Sequence, residues 1–229
     1  MSFRSTFLLK IVCCFTAATV SGVFGQQDIR ATLYEQFGNS GMSVSIDGYV
    51  PDLSTLGFAD RARSACTVGM WIFYAMPNYG YGSYHVVATY SDSPFCFDFD
   101  IVAADVSSVR YVGSGAGLSV QTFTLYEQTY FARNEEYITS EKPALNLANV
   151  HGSIILTGGG NWTVFEGTSY SGPSACLAST GTGVVVIADI RTVGLEHNSL
   201  RSVRIGCETN PKTVVHLQSS MTGHRSFSP

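Results

Sequence analysis

Runs of Glu, Ala, Leu and Lys that would build long helices are missing here, charged residues make up only 13% of the chain, and apolar stretches are short. Each shortage excludes something. Without helix-forming runs, the building material is short segments rich in Val, Ile, Tyr, Phe and Thr, broken by Gly, Pro, Asn and Asp, which read as β-strands. A transmembrane helix needs roughly 18 or more apolar residues, and no segment supplies them. Thirteen Lys and Arg stand against seventeen Asp and Glu, a formal charge of −4 with no basic cluster, so a nucleic-acid partner is excluded.

Catalytic spacings are missing as well. Gly158-Gly159-Gly160 lacks the lysine and hydroxyl of a phosphate loop, and Gly113 to Gly117 is no dinucleotide fingerprint. There is no Gly-x-Ser-x-Gly elbow. His85, His151, His197, His216 and His224 show no metal-ligand spacing, and no cysteine pair has zinc-ribbon spacing. Glu35, Glu127 and Glu166 recur at one repeat position, in separate motifs, and read as structural hairpin residues.

The first residues form a signal-peptide pattern: Arg4 and Lys10, an uncharged run from Ile11 to Val23, and a small-residue site with cleavage expected after Gly25. A secreted chain of about 200 residues remains, enough for one large or two small domains. Cys13 and Cys14 leave with the signal, and Cys66, Cys96, Cys176 and Cys207 stay. An even count in an oxidising compartment points to two disulfides. Four cysteines allow three connectivities; Cys66 with Cys96 and Cys176 with Cys207 are the pairings local to each half, and free buried thiols are the other reading. Asn161-Trp162-Thr163 is a glycosylation sequon beside a tryptophan expected to be buried.

Self-similarity is the strongest signal. Leu33-Tyr34-Glu35-Gln36 returns as Leu125-Tyr126-Glu127-Gln128, offset by 92; Trp71 returns as Trp162, offset by 91; Ser108-Val109-Arg110 returns as Ser202-Val203-Arg204, offset by 94. Each unit divides again, Tyr34 being followed 40 positions later by Tyr74 and Tyr126 followed 39 positions later by Phe165. Four quarter-repeats result, with a small-residue linker between halves and a polar tail after Cys207. Two packed antiparallel sheets per domain, with alternate residues facing the core, are expected.

The segment Phe165-Glu166-Gly167-Thr168-Ser169-Tyr170-Ser171-Gly172 resembles the β/γ-crystallin Greek-key signature: aromatic, acid, three residues, aromatic, any residue, glycine. Such a folded hairpin needs a glycine where φ is positive and aromatics packed over the turn. Elsewhere the pattern departs: Asn39 replaces the second aromatic of the first quarter, Ala75 and Tyr81 replace the acid and glycine of the second, and Arg133 stands at the glycine position of the third. The family also places a serine late in each motif to bond back to the hairpin, and Ser64, Ser108, Ser153 and Ser202 sit there.

The resemblance implies an all-β fold of two tandem β/γ-crystallin-like Greek-key β-sandwich domains. The boundaries expected are a signal peptide at 1–25, a first domain at 26–113 with Greek keys over 29–69 and 70–113, and a linker at 114–118. A second domain at 119–208, with keys over 121–160 and 161–208, and a tail at 209–229 complete the chain.

Many family members bind calcium through the loop before the last strand, in the pattern Asn/Asp, Asn/Asp, two residues, Ser/Thr, Ser. Oxygen ligands suit this hard cation. No quarter here is complete. The candidates are Asp60 and Ser64 in the first, Ser107 and Ser108 in the second, Asn149 in the third, and Asn198 and Ser202 in the fourth, with Arg63 and Arg201 at oxygen-ligand positions. The expected function is a secreted, non-enzymatic structural or interaction protein with no cofactor, its partner a protein or glycan surface. Its domains would pair within one chain or between two. A weak calcium module is the second reading, and a defence, glycan or membrane-surface binder using Tyr79, Tyr81 and Tyr84 the third.

Overall fold

A computed structural model gives the architecture and describes residues 29–80, 86–99, 105–147, 152–208, 213–220 and 222–227. The expected signal peptide lies outside these residues, as do Tyr81, Tyr84, His85, Asn149 and His151. The first half contributes β1 (Arg30–Gln36), β2 (Ser40–Ile46), β3 (Ser64–Tyr74), β4 (Val86–Asp98) and β5 (Ser108–Val112). The second contributes β6 (Thr122–Tyr126), β7 (Glu135–Ile138), β8 (Ser153–Thr157), β9 (Trp162–Phe165), β10 (Ser174–Ser179), β11 (Val185–Ile187) and β12 (Ser202–Ile205). Beyond Cys207 come β13 (Thr213–Leu217) and β14 (Gly223–Phe227). Among the described residues the only helices are short 3-10 turns.

The second half is a sandwich of two four-stranded sheets, ordered β12-β9-β10-β13 and β11-β8-β6-β7. In the first half one strand serves both groups of partners. Over Ser64–Val68, β3 pairs with β1, and over Met70–Tyr74 it pairs with β5, with β4 alongside throughout. Gly69 stands at the change, at φ +88°, where the register against β4 slips. A glycine there costs no side-chain clash at positive φ.

Strand alternation explains the apolar run around Trp71. Trp71 and Phe73 point into the first half's core with Leu33, Phe58, Phe99 and Val109. Met70, Ile72 and Tyr74 point the other way, into a third apolar interior shared with Tyr126, Phe131, Ile155 and Val184 of the second half. β8 does the same: Ile154 and Leu156 enter the second half's core with Trp162 and Val203, while Ile155 faces the first half. Strands buried on both faces lose the polar-out alternation.

One expectation is corrected: the polar tail forms strands over its described residues. β13 lies parallel on β10, and β14 lies antiparallel on β4. Its polar composition is that of edge strands with one solvent face: Leu217 and Val215 pack on the second core and Phe227 on the shared interior, while His224, Arg225 and Ser226 are exposed. Leu118, at the end of the expected linker, is buried in the shared interior.

Candidate functional site

Four equivalent serines close four equivalent hairpins. Ser64 Oγ accepts from the Asn39 N–H at 3.0 Å and donates to the Gln36 carbonyl at 2.6 Å. Ser108 joins Tyr79 N–H (3.1 Å) to the Met76 carbonyl (2.7 Å), Ser153 joins Phe131 N–H (2.8 Å) to the Gln128 carbonyl (2.6 Å), and Ser202 joins Tyr170 N–H (3.0 Å) to the Gly167 carbonyl (2.6 Å). All four serines are buried. Every hairpin places consecutive residues at positive φ: Gly38 and Asn39, Asn78 and Tyr79, Tyr130 and Phe131, Ser169 and Tyr170. Arg133 adopts the left-handed conformation itself, at φ +68°, where Gly41 and Gly172 stand at +80° and +78°. The third hairpin therefore closes without its glycine.

Because the late serines are engaged this way, Ser64, Ser108 and Ser202 serve the hairpins. The structure does bring two other candidates together across quarters. Ser107 Oγ lies 2.8 Å from Asp60 Oδ1 and 3.0 Å from the Ala75 carbonyl. Asp60 is held in the left-handed region at φ +57°, its N–H on the Val106 carbonyl at 3.0 Å. One carboxylate, one hydroxyl and one carbonyl fit a hard cation but fall short of the six to eight oxygens, roughly, that calcium takes.

The matching positions elsewhere do not assemble such a set. Arg63 stands at the hydroxyl position of the first quarter. In the fourth, the Arg201 guanidinium donates to the Asn198 carbonyl at 2.6 Å and to Leu200 at 2.8 Å, putting a fixed positive charge at the loop. In the third quarter the hydroxyl position is Gly152, where a Cβ would lie 2.0 Å from the Gln128 carbonyl carbon. No serine or threonine fits there unless the backbone moves. Among the described residues no group of three or more His, Cys, Asp or Glu could hold a metal.

Between the halves lies a cleft of about 640 Å³, lined by residues including Tyr49, Tyr79, Arg110, Glu127, Arg133 and Glu135. Its floor is Arg110, 1% exposed. The guanidinium sits among three rings, 4.5 Å from the centroid of Tyr79, 4.7 Å from Tyr126 and 5.2 Å from Tyr74. It donates to the Tyr74 hydroxyl at 2.9 Å, to the Arg133 carbonyl at 2.8 Å and to the Phe131 carbonyl, and Glu135 stands 3.4 Å away as counter-ion. The Tyr49 hydroxyl donates to Glu135, and the Tyr74 hydroxyl to the Phe131 carbonyl at 2.6 Å. Burial works against the Arg110 charge, but Tyr74 and Glu135 outweigh it and hold the guanidinium protonated. Burial pushes the Tyr49, Tyr74 and Tyr126 hydroxyls up, so all stay neutral.

The family model described as Beta/Gamma crystallin matches residues 30–112. The first half of the chain is therefore a β/γ-crystallin domain. Among solved structures it is similar to geodin, a beta-gamma crystallin from Geodia cydonium, at 23% identity over 78% of this chain and 99% of that one, with a TM-score of 0.60. Shorter likenesses are to a betagamma-crystallin from an archaeon (25% identity, 38% of this chain and 99% of that one, TM-score 0.33) and to one from Ciona intestinalis (25%, 37% and 99%, 0.32). No curated protein matches the chain.

Cys66 is bonded to Cys96, its direct cross-strand partner on β4, and Cys176 to Cys207. Bonded cysteines suit an oxidising compartment. Asn161 is exposed, but its Oδ1 accepts from Ser179 N–H at 3.0 Å, and the sequon's Thr163 is buried with its hydroxyl on the Gly206 carbonyl. Tyr79 turns its ring to Arg110. Glu35 pairs with Arg61 and Glu127 with Asn134, each within its own motif. The Arg110 cluster was missed by sequence reasoning. Its one signal was the Ser-Val-Arg repeat, whose second copy places Arg204 4.0 Å over Tyr170, partly exposed, as Arg110 stacks on Tyr79.

Proposed function

We propose that this chain is a secreted, non-enzymatic structural or interaction protein, a rigid pair of domains that meets its partners through its outer surface. The observation that carries the reading is Arg110. This buried guanidinium spends its donors on carbonyls, a tyrosine hydroxyl and Glu135, so the interdomain cleft is built for holding two halves together, and among the described residues it presents no free nucleophile beside a base. Secretion is supported by the signal-peptide pattern and the two bonded cysteine pairs. The test assays purified mature protein against ester, peptide and glycoside substrates and against heat and protease. Protease resistance with no turnover is expected; turnover that survives purification rejects the reading.

A second reading is favoured by the Asp60–Ser107 corner: one weak calcium site in the first domain and none in the second. Titration calorimetry should then give a single site in the range of about 10⁻⁴ to 10⁻³ M, lost in Asp60→Ala and unaffected in Asn198→Ala. Heat from two sites, or none at millimolar calcium, rejects it.

A further inference from the structure

The segment after Cys207 binds both halves of the molecule. β13 runs parallel to β10 from Thr213 opposite Ala175 to Leu217 opposite Ser179. The chain beyond it stays fixed to the second half: Thr180 N–H donates to the Leu217 carbonyl at 2.9 Å, Val184 N–H to Ser220 at 2.7 Å, and Ser220 N–H back to Val184 at 3.1 Å. β14 then crosses to the first half and pairs with β4, Gly223 opposite Tyr90 and Phe227 opposite Val86. His224 stacks on Phe97 of the first half at 4.5 Å, while Phe227 meets Phe131 of the second edge-on at 5.3 Å.

Without β14, the Val86–Tyr90 stretch of β4 would be a sheet edge. That stretch, Val-Val-Ala-Thr-Tyr, carries no charge and no proline, the devices by which edges are kept from pairing with other chains. An antiparallel edge is self-complementary under a two-fold axis, so a second copy offers it a matching strand. The resident strand lies on the surface. Its middle three residues are exposed, and it is seated by the backbone ladder, the His224 ring on Phe97, Phe227 on Phe131 and the close approach of Gly223, where a Cβ would fall 2.3 Å from the Tyr90 hydroxyl oxygen.

We propose that the Val86–Tyr90 edge is a strand-docking surface, that residues 223–227 are its resident occupant, and that when this strap lifts the edge pairs with the same edge of a second copy of this chain. Gly223→Val in the full chain drives a side chain into Tyr90 and lifts β14 while leaving β13 in place. Phe227→Ser loosens the far end and touches neither domain's own core. Hydrogen exchange should show residues 223–227 exchanging about tenfold faster or more in Gly223→Val. Sedimentation velocity should show concentration-dependent dimers in which 86–90 is protected again. The synthetic peptide Thr222 to Ser228 should dissolve those dimers, and Phe227→Ser should show the same effects more weakly. A lifted strap without dimers, unchanged exchange in both variants, or an equal dimer in the unmodified chain overturns the proposal.

Discussion

Ser108 has no room for compromise, since its hydroxyl answers a buried N–H on one side and a carbonyl on the other. Removing it leaves the Tyr79 N–H unsatisfied, so Ser108→Ala should cost about 1–3 kcal/mol in denaturant unfolding. The same loss is expected at Ser64, Ser153 and Ser202, because the geometry repeats; a serine whose removal costs nothing would show that its hairpin closes by other means. Arg110 is the larger case. Arg110→Ala leaves Glu135 partly buried without its counter-ion and the Arg133 carbonyl without its donor, a loss of about 3–5 kcal/mol. Arg110→Lys should recover only part of it, because an ammonium lacks the planar fork that serves Tyr74, Phe131 and Arg133 together. Recovery of full stability in the lysine variant would mean that charge alone matters there.

At the scale of elements, the loop between β7 and β8 is tied down by one carboxylate. Glu136 on β7 pairs with Lys142 and accepts from Asn146 N–H at 2.8 Å and Leu147 N–H at 2.9 Å, while Lys142 pairs through its backbone with Val203. Burial alone would raise the pKa of Glu136, but the Lys142 ammonium and the two N–H groups outweigh it and bring the pKa below the ordinary 4.5. A depressed carboxylate contributes stability that is present above that unfolded-state value and is lost as pH falls through the lower folded value. Glu136→Gln should therefore lower stability at pH 7 and flatten the acid limb below pH 4.5, read from melting curves across pH. An unchanged acid limb would place the sensitivity elsewhere, with Asp189, held down by Arg191, the next residue to test.

Elements also show what was legible beforehand. The late serines, the hairpin aromatics and the cysteine pairs each act within one quarter or one half, and the repeat in the sequence marks their positions. Asp60 and Ser107 stood in the sequence as fragments of two broken loops, and only the pairing of quarters makes one corner of them. Arg110 was invisible because a lone arginine after a serine and a valine carries no mark of burial; its environment comes from a second half that begins beyond Gly117. The tail misled for a related reason. An edge strand needs only backbone and a few apolar contacts, so β14 reads as polar coil.

For the whole molecule, the shared interior decides cooperativity. Met70, Ile72, Tyr74, Tyr126 and Ile155 are all fully buried between halves. Residues of this size contribute roughly 1.5–3 kcal/mol each when withdrawn from water, so neither half should melt without the other. Calorimetry should show one transition for the intact chain, and Arg110→Ala should bring it down as a unit. Two separated transitions in the unaltered protein would mean that the shared interior contributes little.

A strand buried on both faces also has a history during synthesis. Met70, Ile72 and Tyr74 leave the ribosome before their covering strands β6, β8 and β11 exist, and at roughly 5–20 residues per second the wait lasts several seconds. Through that interval the first half can complete its own core around Trp71 but carries a bare apolar face. The order of translation thus makes the N-terminal half the vulnerable one, and the halves are partners in time as well as in space.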